Sequence, residues 1–185
     1  MIMIKLAILL HDGLEETEAI ATIDILRRAK ITVEMVAVHD LLIKGSHQIN
    51  FMAEKTFDQI QIDDYDGLII PGGGVVEHLL TKINIIDLIK AFYQKDKVIA
   101  AICAAPQLLG KAGIVDHKKI THFPTCDKFL DHAKIDLTRP AITDGKIITG
   151  QSIGTVIPFA LEIVKYFLGE TAKKQLESEM VVKSS

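Results

Sequence analysis

The stretch Lys97-Val98-Ile99-Ala100-Ala101-Ile102-Cys103-Ala104-Ala105-Pro106-Gln107-Leu108-Leu109-Gly110 decides how the chain is read. Its first half is a short apolar run of the kind that forms a buried parallel strand. Its second half has helical character, with Gly110 as the expected stop. Cys103 stands at the junction. A strand-to-helix turn is where an α/β fold presents a nucleophile, and the positive end of the following helix dipole is expected to lower the thiol pKa. Small residues on both sides allow a sharp turn. The competing reading is that of an inert, buried small hydrophobe, the commoner fate of a free cysteine.

Working outward, strand and helix patterns alternate. Residues 4–10 read as a strand, with Gly13 marking the turn after it. Residues 16–29 carry Ala19, Ile20, Ile23, Ile25 and Leu26 at helical spacing, with Arg27, Arg28 and Lys30 toward the end where cations suit the dipole. Residues 31–38 alternate and are rich in β-branched side chains, the signature of a second strand. Residues 41–52 suggest a small ribbon turning at Lys44-Gly45. Gly67 to Ile70 is followed by Pro71-Gly72-Gly73-Gly74 and by helical material from about Val75 to Lys95. Late in the chain, 141–143 and 146–149 flank Asp144-Gly145, a two-residue hairpin signal. Thr155 is the expected cap of a last long helix. Alternation of this kind, with apolar strands, implies a mainly parallel central sheet covered by helices on both faces. In such sheets function gathers beyond the carboxyl ends of the strands. The segments at Gly13–Glu18, Pro71–Gly74 and Cys103 all fall there.

Composition narrows the rest. The 185 residues, read as one domain over 1–185, are 49% hydrophobic and 24% charged, with a net charge of −3. That balance gives no footprint for nucleic acid or an anionic membrane. The two cysteines form no Cys-x-x-Cys or Cys/His cluster, which argues against a disulfide framework or structural zinc. The apolar N-terminal run, interrupted by Lys5 and ended by His11-Asp12-Gly13, is too short to span a bilayer and lacks a cleavage site, so a cytoplasmic protein is expected.

The chemistry available at the strand ends begins with Gly13-Leu14-Glu15-Glu16-Thr17-Glu18. Dipole complementation suffices for Glu15 and Glu16. Glu18, one turn in, can point toward Cys103, where a carboxyl beside a thiolate has a raised pKa and can shuttle a proton. The glycines of 72–74 expose backbone N–H groups, so Gly73 and Ala104 are candidate oxyanion donors. The segment is no Gly-x-Gly-x-x-Gly fingerprint, which leaves dinucleotide binding without a motif. Among seven histidines, His122 beside Phe123-Pro124 is the best placed to approach from a loop. Cys126 is read as a bystander.

The combination of Gly13 to Glu18, Asp24 to Ala29, Gly45-Ser46-His47, Ile70 to Gly73, Ala100 to Pro106 and Gly154-Thr155 resembles the ThiJ/PfpI (DJ-one) superfamily over nearly the whole chain. It is most similar to the branch holding the parkinsonism-associated protein deglycase and bacterial YajL. The resemblance implies a flavodoxin-like, class I glutamine amidotransferase-like α/β three-layer sandwich and a homodimer. It implies Cys103 as the reactive cysteine, Glu18 as its protonated partner, and Gly73 and Ala104 as backbone donors. Glu15, Gly72, His122, Arg28 and His47 are the further pocket candidates. The implied activity is cysteine-dependent, cofactor-free and metal-free conversion of reactive dicarbonyls, or deglycation of their adducts, through a hemithioacetal on Cys103. The alternative is a redox-responsive protective protein or chaperone whose Cys103 becomes a sulfinic acid. A protease or amidase ranks lower, because Ala104 stands where that branch has histidine, and a non-catalytic flavodoxin-like binding domain lower still. Phe123 replaces the histidine that animal members carry, Ser152-Ile153 replaces a Gly-Pro, and His47 replaces an arginine.

Overall fold

The computed structural model describes residues 3–183. Strand β1 (Lys5–Leu10) leads through α1 (Glu16–Arg28) to β2 (Thr32–Ala37). A ribbon of β3 (Leu42–Lys44) and β4 (Asn50–Met52) precedes the short β5 (Lys55–Thr56) and then β6 (Gly67–Ile70). Helices α2 (Val76–Leu79) and α3 (Ile83–Gln94) lead to β7 (Val98–Ile102) and α4 (Pro106–Lys111). A small pair, β8 (Lys119–Ile120) and β9 (Lys134–Ile135), is followed by the hairpin β10 (Ala141–Asp144) and β11 (Ile147–Gly150) and by the long α5 (Val156–Glu179).

Seven strands form one sheet in the order β10-β11-β7-β6-β1-β2-β5. Every pairing in it is parallel except β10 with β11, where Gly145 takes the positive φ that the hairpin turn requires. Strand alternation splits the apolar residues into two cores. Leu6, Ile8 and Leu10 of β1 pack with α1 and α5, while Ala7 and Leu9 belong to the opposite face with α3 and α4. This is the mainly parallel α/β sandwich expected from the alternation of patterns.

Four local expectations are corrected. The helical stretch from Val75 to Lys95 is two helices, broken at 80–82. Gly110 does not end α4 but lies inside it, because a Cβ there would sit 2.2 Å from the carbonyl oxygen of Phe129, which crosses the helix. The left-handed turn beyond α4 is made by Gly113 instead, at φ 72°. Thr155 does not cap α5 with its side chain; its hydroxyl donates to the Ser152 carbonyl at 3.0 Å and closes a 3₁₀ turn ahead of the helix. Helix α5 itself is interrupted at Gly169, whose φ of 86° and ψ of 171° are not helical. Among the described residues, no helix is long and apolar enough to cross a membrane.

Candidate active site

Adjacent parallel strands β1, β6 and β7 end together, so their following loops meet at one edge. Cys103 follows β7 directly. Its backbone is held at φ 64°, a left-handed conformation that costs a non-glycine residue roughly 1 kcal/mol or more. Two hydrogen bonds fix it there: its N–H donates to the Gly150 carbonyl at 3.0 Å, and its carbonyl accepts from Phe123 N–H at 2.9 Å. The strained turn lifts the thiol off the end of the sheet, as a nucleophile elbow does.

Glu18 reaches this thiol from the first turn of α1. Its side chain is buried, and Oε2 accepts from Gly72 N–H at 2.9 Å. Oε1 is also buried but has no hydrogen-bond partner, so it is the oxygen available to carry a proton. Burial raises the Glu18 carboxyl to about 7, against the opposing pull of Gly72 N–H and the thiol.

The thiol is not lowered as the sequence led us to expect. Burial, followed by the charge of ionised Glu18, pushes Cys103 up to about 12, while the N–H groups of Gly73 and Ala104 pull the other way. The reason is structural: α4 is a short helix that begins only at Pro106, and the sulfur faces a carboxylate at close quarters. Protonating Glu18 removes that charge and leaves burial, which still raises the sulfur, opposed by the two N–H groups. Cys103 and Glu18 are thus coupled, and with the sulfur pushed so high the form favoured between the two values is carboxylate and thiol.

Gly72 and Gly73 are where this arrangement requires glycine. A Cβ on Gly72 would lie 2.7 Å from Cys103 Cβ, 2.8 Å from Glu18 Oε2 and 2.9 Å from the Ile102 carbonyl oxygen. Gly73 has φ of 103°, and a Cβ there would fall 2.6 Å from Glu15 N. Gly72→Ala therefore drives a methyl group between the two reacting groups. We expect it to lower turnover by about a hundredfold, the usual consequence of a displacement near 1 Å. Steady-state kinetics with a thermal melt checks this, since a folded but fully active Gly72→Ala protein contradicts the geometry.

The other candidates fall into place differently. Glu15 is the N-cap of α1, accepts weakly from Thr17 N–H at 3.4 Å, and its charge raises Glu18 further. His47 sits on the exposed rim, with Nδ1 3.1 Å from Glu16 Oε2 and 3.4 Å from Glu15 Oε2, and is raised by those carboxylates. His122 is fully buried and its Nδ1 lies 2.7 Å from the Phe123 carbonyl oxygen. The backbone of its loop, not its imidazole, is joined to Cys103. Arg28 lies at the far end of α1 from Glu18, exposed and paired with Asp24 at 2.7 Å, and so does not line this pocket within the chain.

Glu16 is the residue that sequence reasoning passed over. It is buried and gathers N–H groups of His47 at 2.5 Å and Ile49 at 3.4 Å, with Ser46 Oγ at 3.2 Å. Burial alone would raise it, but these donors and its own backbone N–H outweigh that and bring it down to about 2. Two buried glutamates two positions apart on one helix are shifted in opposite directions, because burial wins at Glu18 while donors outweigh it at Glu16. The available signal was Gly45: a Cβ there would overlap Glu16 Cγ at 2.1 Å.

With this geometry in view, the chain was compared with known proteins. The family model of the DJ-1/PfpI family matches residues 4–166. Protein DJ-1 homolog B of Arabidopsis thaliana is 34% identical over 92% of the chain, although the chain spans only 40% of that longer protein. A protein named glutathione-independent glyoxalase DJ-1 from Schizosaccharomyces pombe is 32% identical over 88% of the chain and 91% of its own length. The crystal structure of Drosophila melanogaster DJ-1beta superposes with a TM-score of 0.92 at 27% identity, over 99% of this chain and 100% of that one. The family match over most of the length, with relatives of this identity and a superposition of this extent, shows that the chain belongs to the DJ-1/PfpI family.

Proposed function

We propose that the chain converts small reactive dicarbonyls such as methylglyoxal to 2-hydroxy acids, using Cys103 as nucleophile and Glu18 as the proton carrier. The observation that carries this reading is the pairing of a strained elbow thiol with a buried carboxyl whose Oε1 is unpartnered. The glyoxalase name of the fission-yeast relative supports it at the level of the family.

The steps balance without an outside oxidant or reductant. As the sulfur attacks the aldehyde carbon, the thiol proton passes to Glu18, and the new C–S bond leaves an alkoxide facing the N–H groups of Gly73 and Ala104. Glu18 returns its proton to that oxygen, giving the hemithioacetal. Glu18, again a carboxylate, takes the C1 proton to give an enediolate; the C1 hydroxyl proton passes to the C2 oxygen, and return of the carboxyl proton to C2 yields the 2-hydroxyacyl thioester. C1 is thereby oxidised and C2 reduced within the same molecule. Water cleaves the thioester, releasing lactate from methylglyoxal and restoring the thiol. A carboxyl near 7 suits both directions of proton transfer at neutral pH.

Adducts of such dicarbonyls with amines or thiols are the second substrate class of this reading, since they release the same aldehyde to the same thiol. Two copies of the chain are proposed to pair as a homodimer. The test is product analysis with chelator present and no glutathione added. One lactate per methylglyoxal consumed is expected over many turnovers, whereas loss of methylglyoxal without lactate overturns the proposal.

A further inference from the structure

A second cluster lies at the same sheet edge, outside the thiol pocket. His11 follows β1, His39 follows β2, and His78 belongs to α2. Parallel pairing of Leu10 with Ala37, continued by Val38 N–H donating to the Leu10 carbonyl at 2.8 Å, brings the first two together. Val75 N–H on the Gly13 carbonyl, at 3.4 Å, ties the start of α2 to the same turn. The His11 ring centre lies 5.3 Å from that of His39 and 5.6 Å from that of His78. The rings are inclined at 72° and 66°, edge-on and not stacked.

His11 stands at a metal-sharing spacing from each of its two neighbours, but the three rings do not turn their nitrogens toward one point. Ring nitrogens about 2 Å from a tetrahedral ion place imidazole centres about 5 Å apart. The tautomer of His11 is set for the same purpose. Its Nδ1 lies 2.9 Å from the Asp12 carbonyl oxygen, so Nδ1 carries the hydrogen and donates. Nε2 is then left with a free lone pair, and it is buried without any partner. A ring fixed through a carbonyl by one nitrogen and bare at the other is the usual preparation of a metal-ligating histidine. A cavity of about 70 Å³ opens beside it, lined by His11, Asp12, His39, Asp40 and Ile43, and two carboxylates there offset a cation's charge.

We propose that His11, His39 and His78 bind a divalent transition-metal ion of the zinc class, with Asp40 as the oxygen donor, since Asp12 Oδ1 already accepts from Lys44 N–H at 2.8 Å. Binding requires the exposed His39 and His78 rings to turn their nitrogens toward Nε2 of His11. Such an ion clips the tips of two strands to α2, next to the loop that carries Gly73, and so stabilises the edge on which the thiol site is built. Glu15, Glu16 and His47 also lie close enough together to be weighed as ligands, but the Glu16 oxygens are already occupied by N–H and hydroxyl donors.

The test is zinc competition against a chromophoric chelator, using protein in which Cys103→Ser and Cys126→Ser remove both thiols. One zinc per chain is expected, weakened at least about tenfold by His11→Ala, by His39→Ala and by His78→Ala, and unchanged by His47→Ala. The thermal midpoint of the thiol-free protein should rise with added zinc, and that of the triple histidine variant should not. His39 and His78 are exposed, so their removal leaves the fold intact. Zinc binding that survives both of those variants, that vanishes in His47→Ala, or that is no stronger than in the triple variant overturns the proposal.

Discussion

Cys103→Ser is expected to lower lactate formation from methylglyoxal by at least about a thousandfold, and Glu18→Gln by roughly a hundredfold or more. The sizes differ because the residues do different work. Serine keeps the shape of the elbow and its backbone hydrogen bonds, but its hydroxyl is a far weaker nucleophile and a carboxylate of pKa near 7 cannot ionise it. Glutamine keeps the hydrogen bond from Gly72 N–H but cannot take up or return the thiol proton. Sulfur attack then depends on solvent hydroxide. The two changes should not add: with Cys103 gone, Glu18→Gln has little left to remove, since the pair acts as a unit. Steady-state rates of the single and double variants check this, and independent, multiplying losses contradict a shared-proton pair.

The second large effect concerns stability. Glu16→Ala leaves the N–H groups of His47 and Ile49 without the acceptor they share and removes the carboxylate around which residues 45–49 turn. Losing one side of a buried charge-assisted network costs about 3 kcal/mol, or near 10 °C in thermal midpoint for a chain of this size. The pH dependence has a definite sign. The folded Glu16 carboxyl is lowered to about 2 from an ordinary value of 4.5. Its contribution is therefore complete above 4.5 and fades as pH falls from there toward 2. Glu18 works in reverse: its raised carboxyl costs nothing below 4.5, and the cost grows as pH rises from there and is complete above about 7. Thermal melts of Glu16→Ala and the parent from pH 7 to pH 2.5 should converge at the acid end. A constant gap across that range contradicts the role given to Glu16.

The layered fold was legible because both of its signals are local. Buried parallel strands read as apolar runs, and the Asp144-Gly145 hairpin carries its own turn chemistry. Cys103 and Glu18 could be picked out because each sits at a position the topology sends to one edge. What escaped depended on long-range contacts. Gly110 looks like a helix stop until residue 129 is seen crossing it. Glu16 looks like a dipole-matching surface acid until the loop at 45–49 closes over it. The upward shift of the thiol escaped as well, since it arises from burial and from a carboxylate far away in sequence. The three histidines are scattered over His11, His39 and His78 and make no motif, so only strand register brings them together.

The central claim is that Cys103 and Glu18 hold one proton between them, and the pH profile of Cys103 alkylation by iodoacetamide tests it most directly. The profile is expected to rise only well above the range of a free thiol, and Glu18→Ala, by removing a charge that raises the sulfur, should move that rise to lower pH. A wild-type curve indistinguishable from that of Glu18→Ala, or one that follows free cysteine in solution, would show the two groups to be uncoupled.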